Sequence, residues 1–235
     1  MTAPKTPAPP AVSAWRLIST LGGAGAVAGF LIVFVFGWTQ SPIQAHKARV
    51  LAQAVAEVLG NPSRYDTLFV LDGALARALP ESATPADYEQ VYLGFDEGDR
   101  VIGFAVVANK AGFQDNIRLI YGYDAAASRL IGMKVLENKE TPGLGDKIEK
   151  DSAFVTGFRD VATPLSGAKR GRKDNPSAPG GVDMITGATI SSRAVIRAIN
   201  ESLARLGPRL TAYLSDRQAA GPASPATDSN GPAGG

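Results

Sequence analysis

The sequence predicts an α+β protein: one N-terminal membrane helix, then a single domain with an antiparallel-rich sheet and flanking helices. Three observations carry this. A long stretch near the N-terminus bears no charge. Two pairs of apolar runs are each joined by a short polar turn. A helical pattern stands at each end of the domain, the arrangement expected when helices pack on an antiparallel sheet.

Residues 1–14 are rich in Pro and Ala and predict a disordered N-terminus. The membrane segment is placed at residues 15–39. Its core, Leu17 to Trp38, has 22 residues. A bilayer core of roughly 30 Å needs about 20 helical residues. The run is too long for the apolar region of a cleavable signal, and QSPIQAHKA offers no A-x-A cleavage site. Trp15 and Trp38 are placed as interfacial residues at its ends. Lys5 and Arg16 on one side balance Lys47 and Arg49 on the other, so charge alone does not orient the chain.

The domain is placed at 40–214. Within it, Lys47 to Gly60 has helical spacing, with Val50, Leu51, Val55, Val58 and Leu59 on one face. VYLGF (Val91–Phe95) and VIGFAVVA (Val101–Ala108) flank DEGDR and predict a hairpin. IRLIYGY (Ile117–Tyr123) and LIGMKVL (Leu130–Leu136) flank DAAASR and predict a second. In the latter, Ile117, Leu119, Tyr121 and Tyr123 alternate onto one face. ENKETPGLGDKIEKD (Glu137–Asp151) predicts a tight loop with a short helix near Asp146. Ser166–Gly181 predicts a basic surface loop. Ser191–Leu206 predicts a helix with Val195, Ile199, Leu203 and Leu206 inward, stopped or restarted at GPRL. Residues 215–235 predict a disordered tail.

Composition excludes several functions. With no cysteine there are no disulfides, thiolate metal sites or cysteine nucleophiles. A single histidine, His46, rules out a multi-histidine metal site or a histidine-based triad. A net charge of +2 gives no argument for nucleic acid as a partner.

The most informative stretch is DMITGATISSRAV (Asp183–Val195), where Thr186, Thr189, Ser191 and Ser192 crowd beside Gly187 and Ala188 at a helix entrance. Three chemistries fit. The hydroxyls of Thr189, Ser191 or Ser192 cap the helix. The small residues admit a phosphate to the helix N-terminus. Or a hydroxyl is esterified to such a phosphate, which needs outside help because no base stands nearby.

This stretch resembles the flavinylation motif D-x-x-[ST]-G-A-T of FMN-binding domains, and KETPGLGDKI (Lys139–Ile148) resembles their second hallmark. Both motifs, in this order behind one membrane helix, resemble the G subunits of the Rnf complex, an ion-translocating ferredoxin:NAD oxidoreductase. The C subunit of the sodium-pumping NADH:quinone reductase is similar and is the alternative; a cofactor-free membrane-tethered binding domain is a rival of another class. The resemblance covers about Leu17–Leu206. It implies covalent FMN, joined by a phosphoester to Thr189 and delivered from FAD by a flavin transferase. It also implies a domain on the periplasmic side of the inner membrane, and the other subunits of the complex as partners. It makes the chain an electron-carrying subunit of a translocase, without turnover alone. Thr141, Pro142, Gly143 and Leu144 are expected to line the flavin, with Thr186, Gly187 and Ala188 beside the attachment point. Asp183 is read as a mark for the transferase or a loop-orienting residue, and Lys147 as facing the reduced flavin. The insertion AKRGRKDNPSAPGG departs from the family pattern by its length and charge.

Overall fold

The computed structural model describes residues 13–81, 83–169 and 180–219. Expectations for the extreme N-terminus, most of the basic insertion and most of the C-terminal tail fall outside these residues. The chain divides into two compact units, Met1–Arg49 and Val50–Gly235.

The first unit is helical. Helix α1 spans Ala14–Val58, so the membrane segment and the helix at Lys47–Gly60 are one element by backbone pattern. Within the first unit its apolar side chains are exposed all round: Trp15, Phe30, Phe36 and Trp38 are each more than 60% exposed. A helix with apolar side chains exposed on every face suits lipid. Its hydroxyls bond to the helix itself, Thr20 Oγ1 to Arg16 O (2.8 Å) and Thr39 Oγ1 to Val35 O (2.6 Å). Neither hydroxyl is thereby presented bare to hydrocarbon.

In the second unit, the last two turns of α1 end in a Schellman motif. Asn61 N–H donates to Ala56 O (2.7 Å) and Gly60 N–H to Glu57 O (3.3 Å), with Gly60 at φ +73°. Nine strands follow among the described residues. β1 (Arg64–Leu71), β2 (Ala74–Ala76), β3 (Gln90–Phe95), β4 (Val101–Ala111), β5 (Asn116–Asp124), β6 (Arg129–Glu137) and β7 (Val161–Ala162) form an antiparallel sheet in the order β2-β1-β3-β4-β5-β6-β7. Two short helices, α2 (Lys147–Lys150) and α3 (Ser152–Thr156), follow β6. β8 (Ser166–Lys169) and β9 (Gly181–Met184) pair in parallel, and α4 (Thr189–Ala219) closes the domain.

Both expected hairpins are present. Ile117, Leu119, Tyr121 and Tyr123 are buried together, in the same core as Val195, Ile199 and Leu206 of α4. Ile120 points to the other face, with Tyr92 and Ala105, and meets Ala54, Val55 and Val58 of α1 and Leu59 just after it. The central strands are therefore covered on both faces, and each fully buried aliphatic side chain contributes about 1.5–3 kcal/mol. Tyr121 donates its buried hydroxyl to Ser202 Oγ (2.9 Å), and burial pushes its phenol well above the ordinary value.

Glycines allow α1 to lie directly on the sheet. A methyl at Gly122 would stand 2.1 Å from Val58 O, and one at Gly94 would stand 2.7 Å from Leu59 Cδ1. Gly94 pairs with Gly103 and Gly122 with Gly132 across the strands. The absence of side chains is what makes this close approach possible.

Three differences from the sequence expectations have physical reasons. β1 escapes the period-2 pattern because only Leu68 is buried in it, as suits a strand near the sheet edge. The basic loop begins as a strand, Ser166–Lys169, because β9 offers it a parallel partner. And α4 continues through Pro208 to Ala219. Leu206 and Leu210, both fully buried, hold the helix on either side of the proline, and Tyr213 packs edge-on against Phe104. Burial there offsets the roughly 3 kcal/mol cost of an internal proline.

Gly122→Ala is expected to destabilise the domain by about 1–3 kcal/mol, because backbone rather than a mobile side chain occupies the space. Chemical denaturation of the detergent-solubilised chain measures it; an unchanged midpoint would show that the helix end is not seated as described.

Candidate functional site

Two loops meet at the start of α4. The first follows β6. Its turn is closed by Leu144 N–H to Thr141 O (3.1 Å), with Gly143 at φ +77°. Thr141 Oγ1 reaches Gln114 Oε1 (3.2 Å) in the β4–β5 turn. The turn pushes Pro142, Gly143 and Leu144 outward. The second loop joins β9 to α4. Ile185 and Ala188 are buried and bonded, Ala188 N–H to Ile185 O (3.1 Å), while Thr186 and Gly187 form an exposed turn. Gly187 sits at φ +85°, a conformation that favours glycine, and a methyl there would lie 3.8 Å from Leu144 Cδ2. The structure thus brings together the Thr141–Leu144 and Thr186–Thr189 stretches, more than forty residues apart in sequence.

What joins them is Glu140, a residue to which the motifs gave no role. It is 5% exposed. Its Oε1 accepts the backbone N–H groups of Phe113 (3.0 Å), Gln114 (3.1 Å) and Asp115 (3.5 Å) in the β4–β5 turn. Its Oε2 accepts the hydroxyl of Ser191 in the first turn of α4 (2.6 Å). Gly112 and Gly145 make room for this carboxylate, since a methyl at either would stand under 3 Å from one of its oxygens. One side chain therefore ties three chain segments. It stands within the hallmark KETPGLGDKI, but the motif alone does not show which donors it would accept.

The hydroxyl cluster does not cap the helix as the simplest expectation had it. Ser192 Oγ accepts Ile185 N–H (3.1 Å), fastening the loop behind it, and Ser191 is committed to Glu140. The first helical bond is Ser192 N–H to Ala188 O (2.9 Å). The N–H groups of Thr189, Ile190 and Ser191 have no acceptor among the described residues, and the first turn holds no acid. Thr189 itself is half-buried. Free donors at a helix end carry a partial positive charge and suit an anion.

Around this entrance stand exposed apolar side chains. Phe113 is 68% exposed, Ile190 53% and Leu144 50%. Outside the membrane segment these are most of the exposed large apolar residues, and all belong to segments joined through Glu140 or α4. Phe113 and Ile190 were not expected; an aromatic among the polar turn residues AGFQDN was the available signal for the first. Asp183 is exposed on β9 and Lys147 exposed at the start of α2, neither with an ion pair among the described residues. Asp146 is buried, and the Lys150 ammonium at 2.7 Å holds its carboxyl below the usual carboxylate range.

A cavity of about 610 Å³ lies elsewhere, between α4 and the end of β3, lined by Gln90, Tyr92, Ser202 and Arg205 among others. Its charges are already paired, Arg205 with Glu89 (2.5 Å) and Lys110 with Glu201 (2.6 Å). The unfilled donors are at Thr189.

The sheet, the two loops and the helix entrance define an FMN-binding domain. Residues 112–204, which contain both loops, match the FMN-binding domain family. In fold the chain is similar to the crystal structure of Shewanella oneidensis NqrC, with a TM-score of 0.59 at 18% identity over 72% of this chain and 99% of that one. The G subunit of an ion-translocating oxidoreductase complex from Pseudoalteromonas atlantica is 31% identical over 73% of this chain and 78% of its own length. Its counterpart from Vibrio cholerae is 31% identical over 74% and 80%. That from Methanosarcina acetivorans is 29% identical over 80% and 92%. The chain belongs to the family of ion-translocating oxidoreductase complex G subunits.

Glu140→Ala leaves three N–H groups and one hydroxyl without their acceptor. It is expected to cost about 1–3 kcal/mol of domain stability, and more than Ser191→Ala, which removes only one of the donors. Equal unfolding midpoints for the two variants would contradict the role given to Glu140.

Proposed function

We propose that this chain is the membrane-anchored flavin carrier of an ion-translocating oxidoreductase complex, with FMN esterified through its phosphate to Thr189 and the domain on the periplasmic side. The observation that carries the attachment is the helix entrance: three free N–H groups beside Thr189, with Ser191 and Ser192 both engaged elsewhere. A phosphate on Thr189 Oγ1 would take the place of the missing cap and lie on the positive end of the helix.

Attachment is a group transfer from FAD by a separate transferase. The Thr189 O–H gives up its proton and its oxygen bonds to the FMN phosphorus. The pyrophosphate bond breaks and AMP leaves. Neither the loop before α4 nor α4 itself holds a histidine to serve as base for this step. Exposed on β9 just before the loop, Asp183 is accessible to the transferase.

Bound FMN supplies the reversible electron uptake; the chain's residues hold it. Leu144, Ile190 and Phe113 offer apolar contact to a flat ring, and the backbone of Pro142, Gly143, Gly187 and Ala188 permits close approach. Thr141 and Thr186 shape the two turns. The exposure of this rim leaves a ring edge open to the next carrier, as an electron relay requires. Its partners are the other subunits of the complex, and the tether prevents loss of the cofactor between transfers.

Thr189→Val keeps the side-chain shape and removes the oxygen. Co-expressed with a transferase, it is expected to lose covalent flavin while its flavin-free stability stays within about 0.5 kcal/mol of the unsubstituted chain. Thr189→Ser retains the oxygen and keeps attachment in part. In-gel flavin fluorescence after denaturation and an intact mass, raised by one FMN less one water, read both. A modified peptide mapping to Ser191 or Ser192, or flavin surviving in Thr189→Val, refutes the assignment.

A further inference from the structure

We propose that Arg193 clamps the phosphate at Thr189, an inference that rests on the attachment proposed above. Arg193 lies four residues after Thr189 in α4. Residues at this spacing are neighbours on a helix surface, with Cβ atoms about 5–6 Å apart. Long side chains on a helix lean back over the preceding turn toward the N-terminus. The guanidinium of Arg193 is therefore delivered to the turn that begins at Thr189.

Among the described residues no other group claims it. Arg193 is exposed and has no ion pair or hydrogen-bond partner among the described residues. Arg64, Arg100, Arg118, Arg129 and Arg205 all carry a carboxylate partner. Its position is also locally unfavourable. A cation in the opening turns opposes the helix dipole, and no acid in the first turn compensates. Free N–H groups, an absent acid and an unpaired arginine all make the same entrance positive. Such a breach of local rules marks a functional site when one ligand would satisfy all of it at once. A phosphodiester on Thr189 would: the helix N–H groups face one part of it and the planar fork of Arg193 can take two oxygens. Arg197, one turn further along, is also exposed and unpaired among the described residues but stands two turns from the attachment point.

The consequence is a change of sign. Without flavin, Arg193 is a cation at the wrong end of a helix, and removing its charge leaves stability unchanged or raises it. With flavin, the same substitution removes the partner of a fixed anion and lowers stability.

The test uses the full chain in detergent, produced with and without a flavin transferase, as the unsubstituted protein, Arg193→Gln and Arg193→Lys. Thermal unfolding midpoints are read for each. Arg193→Gln is expected to match or exceed the unsubstituted midpoint in the flavin-free form and to fall about 2–4 °C below it in the flavin-bearing form. Arg193→Lys keeps the charge without the fork and recovers part of that loss. The loss shrinks in about 1 M salt, because the contact is ionic. Equal shifts of the same sign in both forms would overturn the clamp and leave Arg193 an ordinary surface residue. An intact mass without flavin on the unsubstituted chain would instead remove the attachment and the clamp together.

Discussion

A buried carboxylate that accepts four donors organises the end of this domain where the two loops meet α4. Glu140 costs free energy to bury, and its donors come from the β4–β5 turn and the first turn of α4, so each must be in place for the others to be satisfied. Gly112 and Gly145 are the steric counterpart of this arrangement, since neither position tolerates a side chain beside the carboxylate. The Ser191 hydroxyl donates to Glu140 and so pins the first turn of α4 to the carboxylate. The donors at Thr189 are open because Ala188, whose carbonyl accepts the first helical bond, has no side-chain oxygen to offer them.

The sheet provides the rigid base for this. Helices lie on both faces of the central strands, one seated through Gly94, Gly122 and Gly132 and the other through the Ile117–Tyr123 face. Precision at a site is greater when its loops spring from packed elements. Here one loop leaves the end of β6 and the other enters α4, and Leu144 and Gly187 meet where they cross.

Most of the regular architecture was legible in the sequence because it obeys simple periods. The hairpins alternate, and the inward residues of α4 recur at helical spacing. The parts that were hidden lacked a period. β1 buries a single residue, β8 depends on a partner more than ten residues away, and α4 crosses a proline only because Leu206 and Leu210 are buried on either side. At the site, Thr141–Leu144 and Thr186–Thr189 were legible as motifs, and the fold brings them into contact. Glu140 was not, because a buried acid is recognised by its donors, which are remote in sequence. Phe113, Ile190 and Arg193 were hidden for a related reason: exposed side chains look alike until the neighbouring groups are known.

The Ser191–Glu140 bond also joins segments that leave the ribosome at different times. The apolar face of α1 at Val55 and Val58, with Leu59 just after it, has no sheet to cover until the strands bearing Ile120 and Ile131 have emerged. Glu140 and the β4–β5 turn precede α4 in the chain, so the bond to Ser191 is made only once that helix is present. Thr189 acquires its presented conformation only when that helix docks. A maturation enzyme that reads this conformation would meet only finished domains, so that the scarce cofactor is never spent on chains that have failed to fold.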